Sequence, residues 1–213
     1  MTPYSGYIEW GVLYSASSQG KQRYPEYVKA REFIKNKYLQ TSLHLCGRVV
    51  RDLISEGKFV KCNEPAFLIE NAHRVQLNFN HKRTPVDLLK LFSGISRYMH
   101  QPTILQVNQA NQELIDAVAK FTSPESFHYL FDASGGRGTE IEEIPQPIEG
   151  KYCGYAGGLN PDNLKEKLEL LNKSLPEDAV IWIDMESGVR TNNEFDLDKV
   201  RKCFDIVKPY FLK

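Results

Sequence analysis

Short apolar runs alternate with helical patterns along most of this chain. Seven runs, brief and rich in β-branched and aromatic residues, are predicted to be strands: Tyr7–Ser15, Thr41–Cys46, Arg74–Phe79, Thr103–Val107, Tyr129–Asp132, Tyr152–Ala156 and Val180–Met185. Helical periodicity follows most of them, over Tyr24–Tyr38, Arg48–Glu56, Asp87–Tyr98, Gln112–Phe121 and from Leu164 onward. The stretch Phe59–Asn71, with Pro65 inside it, is predicted to be irregular.

This alternation predicts a parallel sheet with helices outside it. The repeated unit of short strand, polar loop and helix favours a closed barrel over an open doubly wound sheet. No G-x-G-x-x-G motif follows the first run, which disfavours a dinucleotide-binding sheet. The predicted fold class is therefore α/β, a parallel βα barrel of seven recognisable βα units. It forms one domain over residues 1–213.

The last three strand runs end in glycine and polar residues. Their ends read FDASGGRG, AGGLNPDN and MESGVRT. In a βα barrel the active site lies at this rim, with a phosphate site near the last two strands. Asn160 is predicted to cap the helix that follows Gly157-Gly158, and Pro161 suits its first turn. Bare N–H groups and a helix N-terminus favour an anion there.

The composition limits the classes of partner that the chain is expected to bind. Among 213 residues, Lys plus Arg and Asp plus Glu both number 27, so no net charge argues for nucleic acid or a membrane surface. The four cysteines form no C-x-x-C pair, which argues against a zinc or redox motif. No signal peptide or membrane-spanning run is present, so a reducing cytoplasm is the expected compartment. We expect a phosphorylated small-molecule partner and neither a metal nor a cofactor.

The three strand ends resemble the last three strands of the phosphoribosylanthranilate isomerase family, a TIM barrel of tryptophan synthesis. In that family the sixth strand ends in an Asp, the seventh in AGGL-N-P and the eighth in a Ser-Gly pair. Two weaker matches lie upstream. The block VLYSASSQGKQRYPEYVKAREFI is similar to the second βα unit, and Val75-Gln76-Leu77 matches V-Q-L-H-G, with Asn78 in place of the His.

The resemblance implies an Amadori isomerisation of a sugar phosphate. Asp132 corresponds to the general acid, which protonates the sugar ring oxygen, and Arg23 to the arginine that holds the substrate's anthranilate carboxylate. The glycine and serine N–H groups would hold the phosphate. The predicted substrate-binding residues are Arg23, Gly136, Gly157, Gly158, Ser187, Gly188 and Arg190.

Other side chains keep alternatives open. His44 and Cys46 are two residues apart on one strand and face the same side, so Cys46 is either a reactive thiol or a small core residue. Asp184 and Glu186 also share a face and could bind a metal or act as acid and base. A barrel enzyme of different chemistry and a non-catalytic phosphate-binding barrel are therefore the competing functional hypotheses.

One departure from the family concerns the base. The family's first strand carries K-[IV]-C-G, whose Cys is the base, and nothing before Tyr7 supplies it. Three interpretations compete: a missing upstream segment, a barrel that has seven strands or is completed by a partner such as a second copy in a homodimer, or different chemistry with another base. Among the predicted catalytic residues, Cys46 is the candidate for this base. Turnover of phosphoribosylanthranilate is expected to be slow or absent.

Overall fold

The structure is a computed structural model that describes residues 6–60, 64–121, 126–132 and 144–211. Its parallel strands are β1 (Glu9–Tyr14), β2 (Gln40–Cys46), β3 (Arg74–Asn78), β4 (Thr103–Val107), β5 (Phe127–Asp132), β6 (Cys153–Ala156) and β7 (Ile181–Asp184). The helices are α1 (Tyr27–Ile34), α2 (Arg48–Glu56), α3 (Glu64–Asn71), α4 (Leu88–Tyr98), α5 (Gln112–Phe121), α6 (Leu164–Ser174) and α7 (Leu197–Val207). A 3-10 turn, Ser187–Val189, leads into a small antiparallel hairpin of β8 (Arg190–Thr191) and β9 (Glu194–Phe195).

The chain divides into two compact units. The first unit comprises residues up to Gln106 together with Ala110–His128, and the second comprises Val107–Gln109 and the chain from Tyr129 onward. In the first unit β2 pairs in parallel with β1 and with β3, and β3 pairs with β4. In the second unit β6 pairs in parallel with β5 and with β7. The prediction of one domain over residues 1–213 remains a prediction.

Alternation along the strands of the first unit separates an apolar face from a polar one. Leu43, Leu45, Val75 and Leu77 are fully buried, and α2 contacts β2 through a helix whose buried residues are Val49, Val50, Leu53 and Ile54. The opposite face of these strands carries His44 and Cys46 on β2. Because side chains alternate along a strand, this polar face is a separate layer from the core under the helices.

An ion pair joins the beginnings of two strands on the polar face of the first unit. The guanidinium of Arg74 donates from Nε and Nη2 to the carboxylate of Glu9, with its shortest contact at 2.7 Å. Its Nη1 lies 3.1 Å from Nδ1 of His128, which must be the acceptor because a guanidinium has no lone pair to offer. Burial, reinforced by the Arg74 charge and opposed by Glu9, lowers the pKa of His128 to about 4. His128 is therefore neutral in the folded protein at pH 7.

The second unit has its own apolar core. It is formed by Tyr155, Leu159, Leu164, Leu168, Leu171, Val189 and Cys203. The indole of Trp182 on β7 lies across Gly154 on β6, where a Cβ would meet the ring at 2.1 Å. The Tyr155 hydroxyl donates to the Pro145 carbonyl at 2.9 Å, and burial raises its pKa.

Seven parallel strands match the seven predicted runs in chain order, with small differences at their ends. The prediction that Phe59–Asn71 is irregular is wrong, because α3 occupies Glu64–Asn71. Pro65 is the second residue of this helix, where a missing N–H costs no intrahelical hydrogen bond. Helix α1 is shorter than predicted at both ends, and α7 and the hairpin were not predicted. No helix in the described part of the chain is long and apolar enough to cross a membrane.

Candidate active site

Three strand ends in the second unit are level with one another. Asp132, the last residue of β5, pairs in register with Ala156 of β6, and Ala156 pairs with Asp184 of β7. Asp132 is only 4% exposed although it is a carboxylic acid. The residues that follow Ala156 and Asp184 are the two glycine-containing loops. The backbone thus delivers an acid and two glycine loops to one edge of the sheet in this unit.

The first loop depends on its two glycines. Gly157 has a φ of 138° and Gly158 a φ of 61°, in a region that residues with a Cβ rarely adopt. This conformation turns the chain sharply at the end of β6. The glycine pair predicted as a phosphate loop is therefore required by the backbone as well as suited to an anion.

Two asparagines fix the peptide that follows Gly158. Asn160 and Asn163 both donate from their side-chain amides to the Gly158 carbonyl, at 3.1 and 3.0 Å. The Asn160 carboxamide oxygen accepts from the N–H groups of Asp162 and Asn163, at 2.9 and 3.3 Å. Asn160 thus caps the turn that precedes α6, and α6 itself begins at Leu164. The Asn160 carboxamide thus occupies the N–H groups of Asp162 and Asn163, which leaves the N–H groups nearer the glycines as the candidates for an anion.

The second loop touches the first at Gly188. A Cβ at this position would lie 1.8 Å from the Leu159 carbonyl oxygen and 2.9 Å from the Asn160 Cβ. No side chain fits in that space, so the close approach requires glycine. Sequence reasoning assigned Gly188 to phosphate binding, and it missed this packing contact because the contact joins two loops about 30 residues apart along the chain.

Bare N–H groups remain on both loops. Among the residues that the structure describes, the backbone N–H groups of Gly157, Gly158, Ser187 and Gly188 have no hydrogen-bond acceptor. The next N–H, that of Val189, donates to the Glu186 carbonyl at 3.4 Å. Unpaired N–H groups on two loops in contact form a cradle for the oxygen atoms of an anion.

The other predicted polar residues of the second unit lie near this cradle in sequence. Arg190 follows the 3-10 turn, and its guanidinium donates to the Asn193 carbonyl within the β8–β9 hairpin. Asn192 and Asn193 form the tip of that hairpin with φ values of 51° and 66°. The described part of the chain contains no group of three acidic, His or Cys side chains placed to hold a metal. Gly136, which was predicted to bind substrate, lies outside the described residues.

Two predicted residues belong to the first unit. Cys46 ends β2, and its sulfur accepts a hydrogen bond from the Asn78 side chain at 3.3 Å. Arg23 lies in the loop between β1 and α1 with a φ of 74°, an uncommon conformation for a residue with a side chain. It lines an open depression of about 250 Å³ together with neighbouring residues of this loop, such as Lys21, and with Lys29 of α1. Sequence reasoning placed Cys46 and Asn78 on neighbouring strands and did not predict that they touch.

Comparison with known proteins bears on this site directly. Residues 97–206, just over half of the chain, match the family model described as N-(5'-phosphoribosyl)anthranilate (PRA) isomerase. The chain belongs to the PRA isomerase family. The match includes Asp132 and both glycine loops of the second unit, whereas Arg23 and Cys46 lie outside it.

Solved PRA isomerases share the fold along almost the whole chain. Monomers generated from the dimeric Thermotoga maritima enzyme superpose with a TM-score of 0.59 at 15% identity, covering 96% of this chain and 88% of that one. The Pyrococcus furiosus enzyme superposes with a TM-score of 0.56 at 16% identity, covering 94% of this chain and 88% of that one. The Thermus thermophilus enzyme superposes with a TM-score of 0.53 at 15% identity, covering 97% of this chain and 90% of that one. The fold is thus the TIM-type βα barrel class that the strand and helix alternation predicts.

Proposed function

We propose that this protein is an isomerase acting on a phosphoribosyl substrate, with N-(5'-phosphoribosyl)anthranilate as the first candidate. Membership of the PRA isomerase family supports the reaction class. The observation that carries the proposal is the contact of Gly188 with Leu159, which joins two loops of unpaired N–H groups beside the strand end that bears Asp132.

The phosphate is assigned to the N–H groups of Gly157, Gly158, Ser187 and Gly188. Backbone donors suit this role because their positions are set by the fold and need no side chain to be ordered on binding. The side chains of Asn160 and Asn163 support the assignment, since they hold the Gly158 carbonyl and their amide oxygens accept from the N–H groups of Asn160, Asp162 and Asn163. Gly136 and Arg190 remain predicted contributors to substrate binding.

Asp132 is assigned as the general acid. Its carboxyl proton passes to the ring oxygen of the ribose as the C1–O bond breaks, and the nitrogen lone pair forms a C=N bond. A base then removes the proton from C2, the electrons of that C–H bond form a C=C bond with C1, and the electrons of the C=N bond return to nitrogen as its lone pair. The resulting enol rearranges to the ketone. The place of Asp132 at the end of β5, level with the ends of β6 and β7, supports this role, because a βα barrel presents its catalytic groups at this rim.

Cys46 is assigned as the base, in place of the first-strand cysteine of the family. A thiolate is a competent acceptor for a proton next to a C=N bond, and Cys46 carries a hydrogen-bond donor on its sulfur. Arg23 is assigned to the carboxylate of the substrate, since a guanidinium binds a carboxylate with two parallel hydrogen bonds.

The proposal is tested by incubating the purified chain with N-(5'-phosphoribosyl)anthranilate and separating substrate from ketone product by chromatography. We expect slow turnover that inorganic phosphate inhibits competitively. Arg23→Ala should raise KM for this carboxylate-bearing substrate by about tenfold, with kcat little changed. Lys173→Ala, at an exposed residue of the second unit, is a control for nonspecific charge effects. Absence of turnover by the folded wild-type chain would reject the proposal.

A further inference from the structure

A chain of side-chain contacts runs from β3 to the sulfur of Cys46 in the first unit. Gln76, which is 4% exposed, donates from Nε2 to the Asn78 Oδ1 at 2.8 Å. Asn78 in turn donates from Nδ2 to the Cys46 Sγ at 3.3 Å. The chain Gln76–Asn78–Cys46 therefore ends on the thiol that the proposed function assigns as base.

The sheet register explains why these three residues meet. Cys46 pairs with Asn78, and His44 pairs with Gln76, between the parallel strands β2 and β3. Residues two apart on a strand share a face, so Gln76 and Asn78 lie side by side and Asn78 faces its partner Cys46. Substitution at Gln76 or Asn78 thus changes the sulfur's surroundings without altering the strand pairing.

The direction of the Asn78 amide follows from its neighbour. The Gln76 Nε2 is a donor, so it requires the oxygen of the Asn78 amide on its side. The NH₂ group of Asn78 must then point the other way, toward the sulfur. A reversed Asn78 would set two NH₂ groups against each other. Gln76 therefore orients Asn78 so that it offers a hydrogen to Cys46.

A hydrogen-bond donor favours the charged form of a thiol, because a thiolate accepts hydrogen bonds more strongly than a neutral thiol. The chain path adds a second favourable effect. Gly47, with a φ of 69°, turns the backbone so that α2 begins at Arg48, two residues after Cys46. A helix N-terminus stabilises a nearby negative charge, and Gly47 has no side chain that would cap its N–H groups.

The other described cysteines have the opposite environment. Burial raises the pKa of Cys153, and burial together with the Asp162 charge raises the pKa of Cys203 to about 11. Cys62 lies outside the described residues. Among the described cysteines, only Cys46 combines partial exposure with a side-chain donor on its sulfur.

We propose that Asn78, oriented by Gln76, is a positioning residue that stabilises the thiolate of Cys46 and aims it for proton removal. This inference rests on the proposed function for the reaction that the thiolate serves. During the reaction the Cys46 sulfur takes the substrate proton and forms an S–H bond, and the electrons of the broken C–H bond stay on the substrate. Asn78 itself exchanges no proton.

The test follows alkylation of the full-length protein by iodoacetamide between pH 5 and 10, with each cysteine read separately by peptide mass spectrometry. Cys153 and Cys203 are buried, so they should stay unmodified while the protein remains folded. Asn78→Ala should move the pH midpoint of Cys46 alkylation upward by about one unit, which is roughly a tenfold slower reaction at pH 7. Gln76→Ala should move it in the same direction by less. Asn78→His restores a ring N–H donor and should return the midpoint toward that of the wild type.

The exposed variant Asn36→Ala is the matched control and should leave the midpoint unchanged. Circular dichroism and urea unfolding check that each variant is folded, and if Asn78→Ala does not fold, Gln76→Ala carries the test. An unchanged Cys46 midpoint in folded Asn78→Ala, or in folded Gln76→Ala if the first variant does not fold, would overturn the positioning role. In the isomerase assay the Asn78 variant should lower kcat with little change in KM. Failure of the wild type to turn over substrate would reject the proposed function separately, because alkylation does not depend on turnover.

Discussion

In the first unit the ring of His44 lies across Gly11 of the neighbouring strand, and in the second unit the indole of Trp182 lies across Gly154. Both units thus fill a strand face with an aromatic ring over a glycine. Their strand ends differ. The first unit presents side chains, Gln76–Asn78–Cys46, whereas the second presents backbone N–H groups on two loops held together at Gly188. A substitution in the first unit removes the interacting group itself, whereas a substitution in the second unit is damaging where an added atom would displace the backbone.

The largest expected effect of a substitution on stability is at Gly188. Gly188→Ala places a Cβ 1.8 Å from the Leu159 carbonyl oxygen, so the two loops must separate. We expect a loss of about 3 kcal/mol in the free energy of unfolding, together with loss of phosphate inhibition. Urea unfolding and inhibition assays measure the two effects. Ser187→Ala is the matched control, because it keeps the backbone N–H and adds no atom; equal damage from both variants would show that the loop contact is not the cause.

The two glycines under aromatic rings should respond unequally. A Cβ at Gly154 would meet the Trp182 ring at 2.1 Å, whereas one at Gly11 would meet the His44 ring at 3.1 Å. Gly154→Ala should therefore destabilise by about 2 kcal/mol and Gly11→Ala by about 1 kcal/mol or less, since only a small shift of His44 is needed. Urea unfolding of both variants decides the order. A larger loss of stability for Gly11→Ala than for Gly154→Ala would contradict this expectation.

A smaller effect depends on pH and belongs to the first unit. The pKa of His128 falls from 6.5 to about 4 on folding, so the folded state prefers the neutral ring. That preference stabilises the protein fully above pH 6.5 and is lost as the pH falls toward 4. After allowance for partial exposure, we expect about 1 kcal/mol of stability to be lost between pH 7 and pH 5.

His128→Gln removes this titration and keeps an acceptor for Arg74, so its stability should decline less steeply over the same pH range. His100→Gln, on an exposed residue, should keep the wild-type slope. Urea unfolding at pH 7 and at pH 5 provides both comparisons. If the stability of His128→Gln falls between pH 7 and pH 5 as steeply as that of the wild type, other groups cause the acid sensitivity.

The sequence predicted the glycine loops of the second unit better than the side-chain contacts of the first unit. Gly157 and Gly158 are visible in a sequence because glycine pairs after a strand imply a turn with positive φ, and the structure has that turn. The parallel strand and helix alternation is equally visible, because its periodicity is local. The resemblance to the isomerase family also rests on these glycine loops.

The missed features depend on contacts between distant parts of the chain. The Asn78–Cys46 hydrogen bond requires the register of β2 against β3, which no local pattern contains. The tight contact at Gly188 requires the relative position of two loops. Helix α3 was missed for a different reason, since Pro65 was read as a helix breaker when it occupies the first turn.

The central claim is that Asp132 is the acid of a phosphoribosyl isomerase, and the most direct test is kcat for N-(5'-phosphoribosyl)anthranilate in the wild type and in Asp132→Asn. The amide keeps the size of the side chain and lacks the transferable proton. We expect kcat to fall by about 10²- to 10⁴-fold, while the exposed control Asp178→Asn keeps the wild-type value. Wild-type turnover by a folded Asp132→Asn protein would contradict the account.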